Sequence, residues 1–143
     1  MEVNIFTCCD GIYKDFIPLF IMSNLYHNDK AFVEIGVDVD NYDKIKDSID
    51  LLKLKFQKKF LVRKIDQDFN IYQKKFKLIP NTVRFFITPK IKTKYVYISD
   101  VDIINLQTDF QKIHVENMIK TGLPYSNIVR PSGNRLKIGR AHV

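Results

Sequence analysis

Short apolar runs alternate with segments of helical periodicity along the first half of the chain. Residues 2–8, 31–37 and 60–62 are rich in β-branched, aromatic and other apolar side chains, which is typical of strands. Residues 15–26 and 42–57 lie between these runs and have the apolar spacing of amphipathic helices. This alternation of strand and helix predicts βαβ units, and therefore an α/β fold with a mainly parallel sheet.

Capping residues and apolar spacing define the two helices. We expect Asp15 to be the N-cap of the first helix and Pro18 to lie in its first turn, where a missing backbone N–H is tolerated. Its core-facing residues would be Phe16, Leu19, Phe20 and Ser23. A polar loop over residues 38–43 is expected before the second helix. The apolar positions of that helix are Ile45, Ile49, Leu52 and Phe56.

The next part of the chain has weaker patterns, followed by its clearest strand. Residues 64–78 have only a faint helical spacing of aromatic side chains. Asn81 is a suitable N-cap for a short helix that Pro89 ends, because the residue before a proline disfavours helical geometry. Tyr95–Ile98 are all β-branched or aromatic, and they predict a strand buried on both faces, as in parallel sheets.

A last helix is predicted from its capping residues. Thr108 and Gln111 have the spacing of a capping box, which opens a helix that extends to about Thr121. Gly122 and Pro124 follow in the order expected just after a helix C-terminus.

Two carboxylates follow the strand at residues 95–98. Asp100 and Asp102 flank Val101 and have apolar neighbours on both sides. In an extended segment residues i and i+2 point to the same side, so the pair would present two like charges that need a counter-charge. Hard divalent cations prefer oxygen ligands, and open α/β sheets bind ligands at the carboxyl ends of their strands. The sequence therefore predicts a divalent-cation site at Asp100 and Asp102.

Asp-X-Asp spacing alone is a weak signal, because most such triplets are solvated turns. Two further triplets, Asp38–Asp40 and Asp66–Asp68, occur in the chain. The first of these also follows a predicted strand and is the main rival for a metal site. Only the triplet at Asp100 has strongly apolar flanks.

Composition and charge limit the remaining function classes. The formal net charge is +7, but the lysines are spread along the chain, so the charge defines no nucleic-acid-binding face. No apolar run approaches the roughly 18 residues of a membrane span, and no secretory signal pattern is visible. The adjacent Cys8 and Cys9 would point to opposite faces of a strand, which disfavours a disulfide framework. We therefore expect a cytoplasmic protein that does not bind nucleic acid.

Several segments together resemble the N-terminal half of a GT-A-fold glycosyltransferase. The resemblance is greatest to glycosyltransferase family 8, the group of bacterial lipopolysaccharide sugar transferases and glycogenins. It rests on residues 5–10 with Tyr13, 21–25, 84–86 with Pro89, and 95–102. In the family these segments are the first strand with its uridine-binding turn, the first helix, the short helix before the metal motif, and the strand with that motif. The chain departs from the family at Thr7 and Cys8, where Ala-Ser is usual, and at Gly11–Ile12, where Asn more often precedes Tyr.

The resemblance implies transfer of a sugar from a nucleotide sugar, UDP-linked in this family, to a glycan, lipid or protein acceptor. Mn²⁺ or Mg²⁺ would be the cofactor, held by Asp100 and Asp102, and the protein would work in the cytoplasm or at the cytoplasmic face of a membrane. The other residues expected to contact the donor are Thr7, Cys8, Asp10, Tyr13, Arg84 and Val101. Arg84 is a candidate for a charge-assisted contact with the diphosphate or with Asp100. No catalytic residue is assigned.

The resemblance also implies a C-terminally truncated domain. Residues 1–137 would form the nucleotide-sugar-binding part, without the acceptor-binding and C-terminal metal-ligand segments of the family. Residues 138–143 resemble the in-frame translation of a sequencing-adapter oligonucleotide, and we interpret them as a non-native tail.

Three alternatives stay open. A haloacid-dehalogenase-like phosphatase would use Asp100 as nucleophile, but that motif usually lies near the N-terminus and carries Thr or Val where this chain has Ile104. A nucleotidyltransferase usually begins with a glycine-rich phosphate loop, and residues 8–13 offer only Gly11. A basic nucleic-acid-binding module would explain the charge, but the sequence has no recognisable nucleic-acid motif.

Overall fold

A computed structural model describes residues 2–26, 28–65, 80–106, 108 and 110–126. The chain divides into two compact units, Met1–Asp109 and Phe110–Val143. The triplet Asp66–Asp68, most of the stretch 64–78 and the predicted tail at 138–143 lie outside the described residues.

Four parallel strands form the sheet of the first unit. They are β1 (Val3–Cys9), β2 (Ala31–Val37), β3 (Phe60–Lys64) and β4 (Tyr95–Ile98). Among the described residues their order is β3-β2-β1-β4, and each neighbouring pair runs parallel. This confirms the predicted α/β class, and the apolar runs locate each strand to within a residue or two.

Helices connect consecutive strands. A 3₁₀ segment, η1 (Gly11–Phe16), leads into α1 (Ile17–Tyr26) between β1 and β2. The longest helix, α2 (Val39–Phe56), and a 3₁₀ turn, η2 (Gln57–Lys59), connect β2 to β3. A short helix, α3 (Pro80–Val83), precedes β4.

The crossovers place different elements on the two faces of the sheet. From β1 to β3 the chain moves in one direction across the sheet, and it then returns past β1 to β4. Because parallel crossovers are right-handed, α1 and α2 belong on one face and the connection before β4 on the other. A buried apolar cluster supports the second placement, since it joins strand residues to α3 and the turn that follows it: Phe6, Cys8, Ile65, Val83 and Ile87.

Three predicted helix starts are wrong. Helical geometry begins at Gly11, so Asp15 lies inside η1 and is not an N-cap. The predicted loop at 38–43 is instead the start of α2, because Asp38 precedes the helix and its carbonyl accepts the first helical hydrogen bond, from Tyr42 N at 3.0 Å. Asn81 lies within α3, which begins one residue earlier at a proline.

The predicted core face of α1 is also partly wrong. Phe20 and Ser23 are buried as predicted, but Phe16 and Leu19 are exposed. The helix also buries Ile17, Ile21, Asn24 and Leu25. Apolar residues lie on most sides of this helix, so spacing alone does not select the side that faces the sheet. In α2 the pattern is more amphipathic: of the four predicted positions Ile45, Ile49 and Leu52 are buried, and Phe56 is half-buried.

β4 is not buried on both faces as predicted. It lies at one end of the described strand order and pairs with β1. Val96 is 47% exposed and Ile98 is 39% exposed, whereas Tyr95 and Tyr97 are half-buried. An apolar run predicts a strand, but burial depends on what covers each face, and the run contains no such information.

The second unit contains α4 (Phe110–Thr121). It begins near the predicted capping box and ends, as predicted, before Gly122, which has a φ of 68° that suits glycine at this position. His114 and Asn117 each contact the hydroxyl of Ser126, at 3.3 and 3.0 Å. None of the described helices is long and apolar enough to cross a membrane.

Candidate functional site

The carboxyl ends of β1 and β4 meet at the point where the chain reverses direction across the sheet. Parallel strands end at the same edge, and open α/β folds bind ligands in the crevice at such a switch point. Asp10 follows β1 and Asp100 follows β4 by two residues. Ser99 N donates to Phe6 O at 3.1 Å, so the segment with Asp100 runs alongside the end of β1.

Arg84 and Asp100 form an ion pair at this edge. Arg84 Nη1 lies 2.5 Å from Asp100 Oδ1 and 2.9 Å from the carbonyl oxygen of Ser99. The Arg84 side chain is 11% exposed and that of Asp100 is 47% exposed, so the carboxylate faces solvent while the guanidinium lies beneath it. The contact between Arg84 and Asp100, one of the two that the sequence suggests for this arginine, is therefore present.

Packing around α3 positions Arg84. Val83, the preceding residue, is fully buried against β1 in the cluster with Phe6 and Cys8. The backbone N–H groups of Phe86 and Ile87 both bond to Val83 O, which closes the turn around Arg84. Arg84 Nε is buried and has no hydrogen-bond partner in the described part of the chain. The guanidinium therefore retains donor capacity that the described residues do not use.

Asp102 lies in a turn and not in an extended segment. Ile103 N donates to Asp100 O at 3.3 Å, so the backbone turns directly after Asp100. Val101 is buried and Asp102 is exposed. We predicted that the two carboxylates would point to the same side because the segment is extended, and that reason is wrong. Both acids are nevertheless accessible near the carboxyl end of β4.

The first turn of the predicted donor site is more buried than the resemblance implies. Thr7 and Cys8 have no exposed surface, because β1 extends to Cys9 and includes them in the sheet. Their side chains therefore do not reach a ligand from this position, and only residues beyond Cys9 could do so. Thr7 Oγ1 has no hydrogen-bond partner among the described residues. Tyr13 is half-buried in η1, and its N–H bonds to Asp10 O at 3.1 Å.

The two thiols are chemically inert in this environment. Burial raises the pKa of Cys8 to about 12 and also raises the pKa of Cys9, where the charges of Asp10 and Asp38 add to the effect of burial. Both thiols therefore stay protonated at neutral pH. Since the thiolate is the nucleophile and the metal ligand, neither cysteine is a candidate for such roles.

Asp10 and Asp38 bring two carboxylates to the ends of the neighbouring strands β1 and β2. Partial burial, and then the charge of Asp38, raise the pKa of Asp10 above its ordinary value. Asn41 Nδ2 donates to both oxygens of Asp38, at 2.9 and 2.8 Å, which fixes that carboxylate at the start of α2. The rival triplet at Asp38 is therefore partly used in shaping the helix start.

We expect Asp10→Asn to stabilise the protein at neutral pH by up to about 0.5 kcal/mol. The raised pKa means that the folded state binds more protons than the unfolded state between the ordinary aspartate pKa of 3.8 and the raised value. Wild-type stability therefore falls as the pH rises through this window, and the variant avoids that loss. Urea denaturation at pH 3.5 and 7 tests this, with Asp47→Asn as the control for loss of one surface acid. An equal gain at both pH values would contradict the assignment.

Donor chemistry determines which cation the edge could hold. Asp100 and Asp102 supply only oxygen ligands, which fit Mg²⁺ or Mn²⁺. The described residues contain no group of three or more His, Cys, Asp or Glu side chains arranged to hold a metal.

A buried polar network that the sequence analysis did not predict lies within the sheet and reaches the segment before β4. Glu34 has no exposed surface and accepts from Arg63 Nε at 2.8 Å and from Asn4 Nδ2 at 3.1 Å. The backbone N–H groups of Lys90 and Ile91 donate to the same carboxylate at 2.9 and 2.8 Å. Glu34 thus anchors to the sheet the segment that leads from α3 to β4. The sequence contains one signal that could have predicted this network: a charged residue interrupts the apolar run of each of two strands, Glu34 in β2 and Arg63 in β3.

Comparison with protein-family models, curated proteins and solved structures finds no match for this chain.

Proposed function

We propose that the first unit binds a UDP-sugar at the carboxyl edge between β1 and β4, as the donor-binding part of a GT-A-fold glycosyltransferase that resembles family 8. One observation carries this proposal: the ion pair of Arg84 and Asp100 at the switch point of a parallel sheet. It combines, at one ligand-binding edge, a carboxylate suited to a hard cation and a guanidinium suited to phosphate.

The chemistry of sugar transfer explains why both charges are useful. An acceptor hydroxyl oxygen forms a bond to the anomeric carbon and gives up its proton, while the bond between that carbon and the diphosphate oxygen breaks, so negative charge grows on the departing diphosphate. Arg84, held beside Asp100, would donate charge-assisted hydrogen bonds to these oxygens. Asp100 and Asp102 would hold Mn²⁺ or Mg²⁺, which supplies Lewis-acid stabilisation of the same charge when bound.

The end of β1 would position the nucleoside. Because Thr7 and Cys8 are buried, this role falls to Asp10 and to the turn that follows it. Asp10 is partly exposed at the strand end, where its carboxylate could accept from ribose hydroxyls or from the base. The net charge of +7 would favour encounter with a phosphorylated donor. The acceptor stays a broad class in this proposal: a glycan, a lipid at a membrane surface, or a protein.

Calorimetric titration with UDP tests the proposal. We expect UDP to bind in the presence of Mn²⁺ and its affinity to fall at least about tenfold with EDTA, because the diphosphate then loses its shared cation. UMP should bind more weakly than UDP, since it lacks the second phosphate. UDP binding that is unchanged by EDTA, or UMP binding as tight as that of UDP, would contradict the role of Asp100 and Asp102.

A further inference from the structure

A cavity of about 450 Å³ opens at the opposite, amino-terminal edge of the sheet. It lies at the connections from α1 to β2 and from α2 to β3, so it is separate from the edge that carries Asp100. Its volume is within the range of small-molecule sites in proteins. Apolar and aromatic side chains line it together with lysines: Leu25, Phe32, Phe56, Lys55, Lys58 and Lys59.

The ammonium groups of two of these lysines lie over aromatic rings. Lys55 Nζ is 5.1 Å from the centre of the Tyr26 ring and 5.5 Å from that of Phe56. Lys59 Nζ is 4.9 Å from the centre of the Phe32 ring and donates to Asp29 O at 2.7 Å. These distances are those of cation–π contacts, which hold the two cations beside the cavity, and the rings of Phe32 and Phe56 belong to its lining.

Positive charge exceeds negative charge in this cavity. Lys55, Lys58 and Lys59 line it, and Asp29 is the acidic residue in its lining. Lys55 and Lys58 are exposed, so their ammonium groups are accessible to an anion bound in the cavity. The lining therefore has an apolar interior and a cationic rim.

A strained backbone position forms part of the same wall. Gln57, directly after α2, has a φ of 45° and a ψ of −117°. This ψ lies far from the left-handed helical region in which an ordinary helix C-terminus is found. A residue other than glycine in such a backbone conformation costs about 1–3 kcal/mol, and residues in strained conformations are frequent at ligand sites.

We propose that this cavity binds an anionic small molecule that carries an aromatic ring. The ring would lie among Leu25, Phe32 and Phe56, and the anionic group would contact Lys55 and Lys58. Lys59 is already held by Asp29 O, so it forms part of the wall. This site is independent of the proposed UDP-sugar site, because it shares no residue with it and lies at the other edge of the sheet.

The probe that tests the inference is 1-naphthyl phosphate, which joins a two-ring apolar body to a phosphate. Titration calorimetry should show that it binds at least tenfold more tightly than 1-naphthol or inorganic phosphate alone, because only the joined molecule uses both the walls and the rim. The double variant Lys55→Gln/Lys58→Gln should lose at least tenfold in affinity for the probe.

The matched control is Lys44→Gln/Lys46→Gln, which removes two exposed lysines from α2, the helix that also carries Lys55, and changes the net charge equally. We expect it to change the affinity less than twofold, and far-UV circular dichroism should show that both variants stay folded. An equal loss of affinity for the probe in the two double variants would show that the net charge of the protein, and not contacts in the cavity, causes the loss. Unchanged affinity in Lys55→Gln/Lys58→Gln, or equal binding of 1-naphthol, would also overturn the proposal.

Discussion

Asp102→Asn is expected to weaken Mn²⁺-dependent UDP binding by about 10- to 100-fold while leaving the protein folded. The magnitude follows from the loss of one charged ligand interaction, about 1.5–3 kcal/mol, at 1.4 kcal/mol per factor of ten. Asp102 is exposed, and no ion pair or hydrogen bond ties its side chain to the fold within the described residues. The substitution should therefore remove a metal ligand without removing a structural contact.

Asp100→Asn is the informative comparison. It removes the second proposed ligand but also the partner of Arg84, whose side chain is largely buried. We therefore expect a loss of stability in addition to the loss of UDP affinity, because a buried cation without its partner is costly. The loss of stability, expected in Asp100→Asn and not in Asp102→Asn, separates the structural ion pair from metal binding.

Titration calorimetry with UDP and Mn²⁺ measures the effect of Asp102→Asn. Asp47→Asn serves as the control, since it removes one exposed acid from α2 and changes the net charge equally. The control should bind UDP as the wild type does. Wild-type affinity in Asp102→Asn would place the metal elsewhere, and an equal loss in Asp47→Asn would make the effect one of general charge.

The strands were predictable because parallel strands in an α/β sheet are apolar along their length. Ala31–Val37 shows both the strength and the limit of that signal, since its bounds were predicted and its buried Glu34 was not. A strand pattern gives no partner for a charge, and the partners of Glu34 come from Asn4, Arg63 and the segment at 90–91. Contacts so distant in sequence depend on the order of strands, which local patterns do not contain.

The candidate site was predictable in part for the same reason. Asp100 and Asp102 stand out because they interrupt apolar neighbours directly after a strand. The burial of Thr7 and the turn at Val101 were not predictable, because each depends on where a strand stops pairing. The resemblance of short segments to a family predicts which residues share a site, but it does not predict which of their side chains are exposed.

Glu34→Gln is expected to lower the free energy of unfolding by about 3–5 kcal/mol, the cost of breaking a buried ion pair. The amide is nearly isosteric with the carboxylate, so the loss does not come from a cavity. Its NH₂ group replaces an oxygen that now accepts two hydrogen bonds, and Arg63 loses its counter-charge within the core. Two of the four donors around Glu34 would then face another donor.

Urea denaturation measures this loss, with Glu116→Gln, an exposed position on α4, as the matched control that should change stability by less than about 0.5 kcal/mol. A double variant with Arg63→Met refines the test. Removing the cation as well as the anion should cost less than the sum of the two single variants, because each single variant leaves one buried charge unpaired. Additive losses would show that Glu34 acts mainly through the backbone N–H groups of Lys90 and Ile91. A loss below about 1 kcal/mol in Glu34→Gln would contradict the buried network itself.

Because that network holds the segment leading into β4, folded Glu34→Gln protein should also bind UDP less tightly.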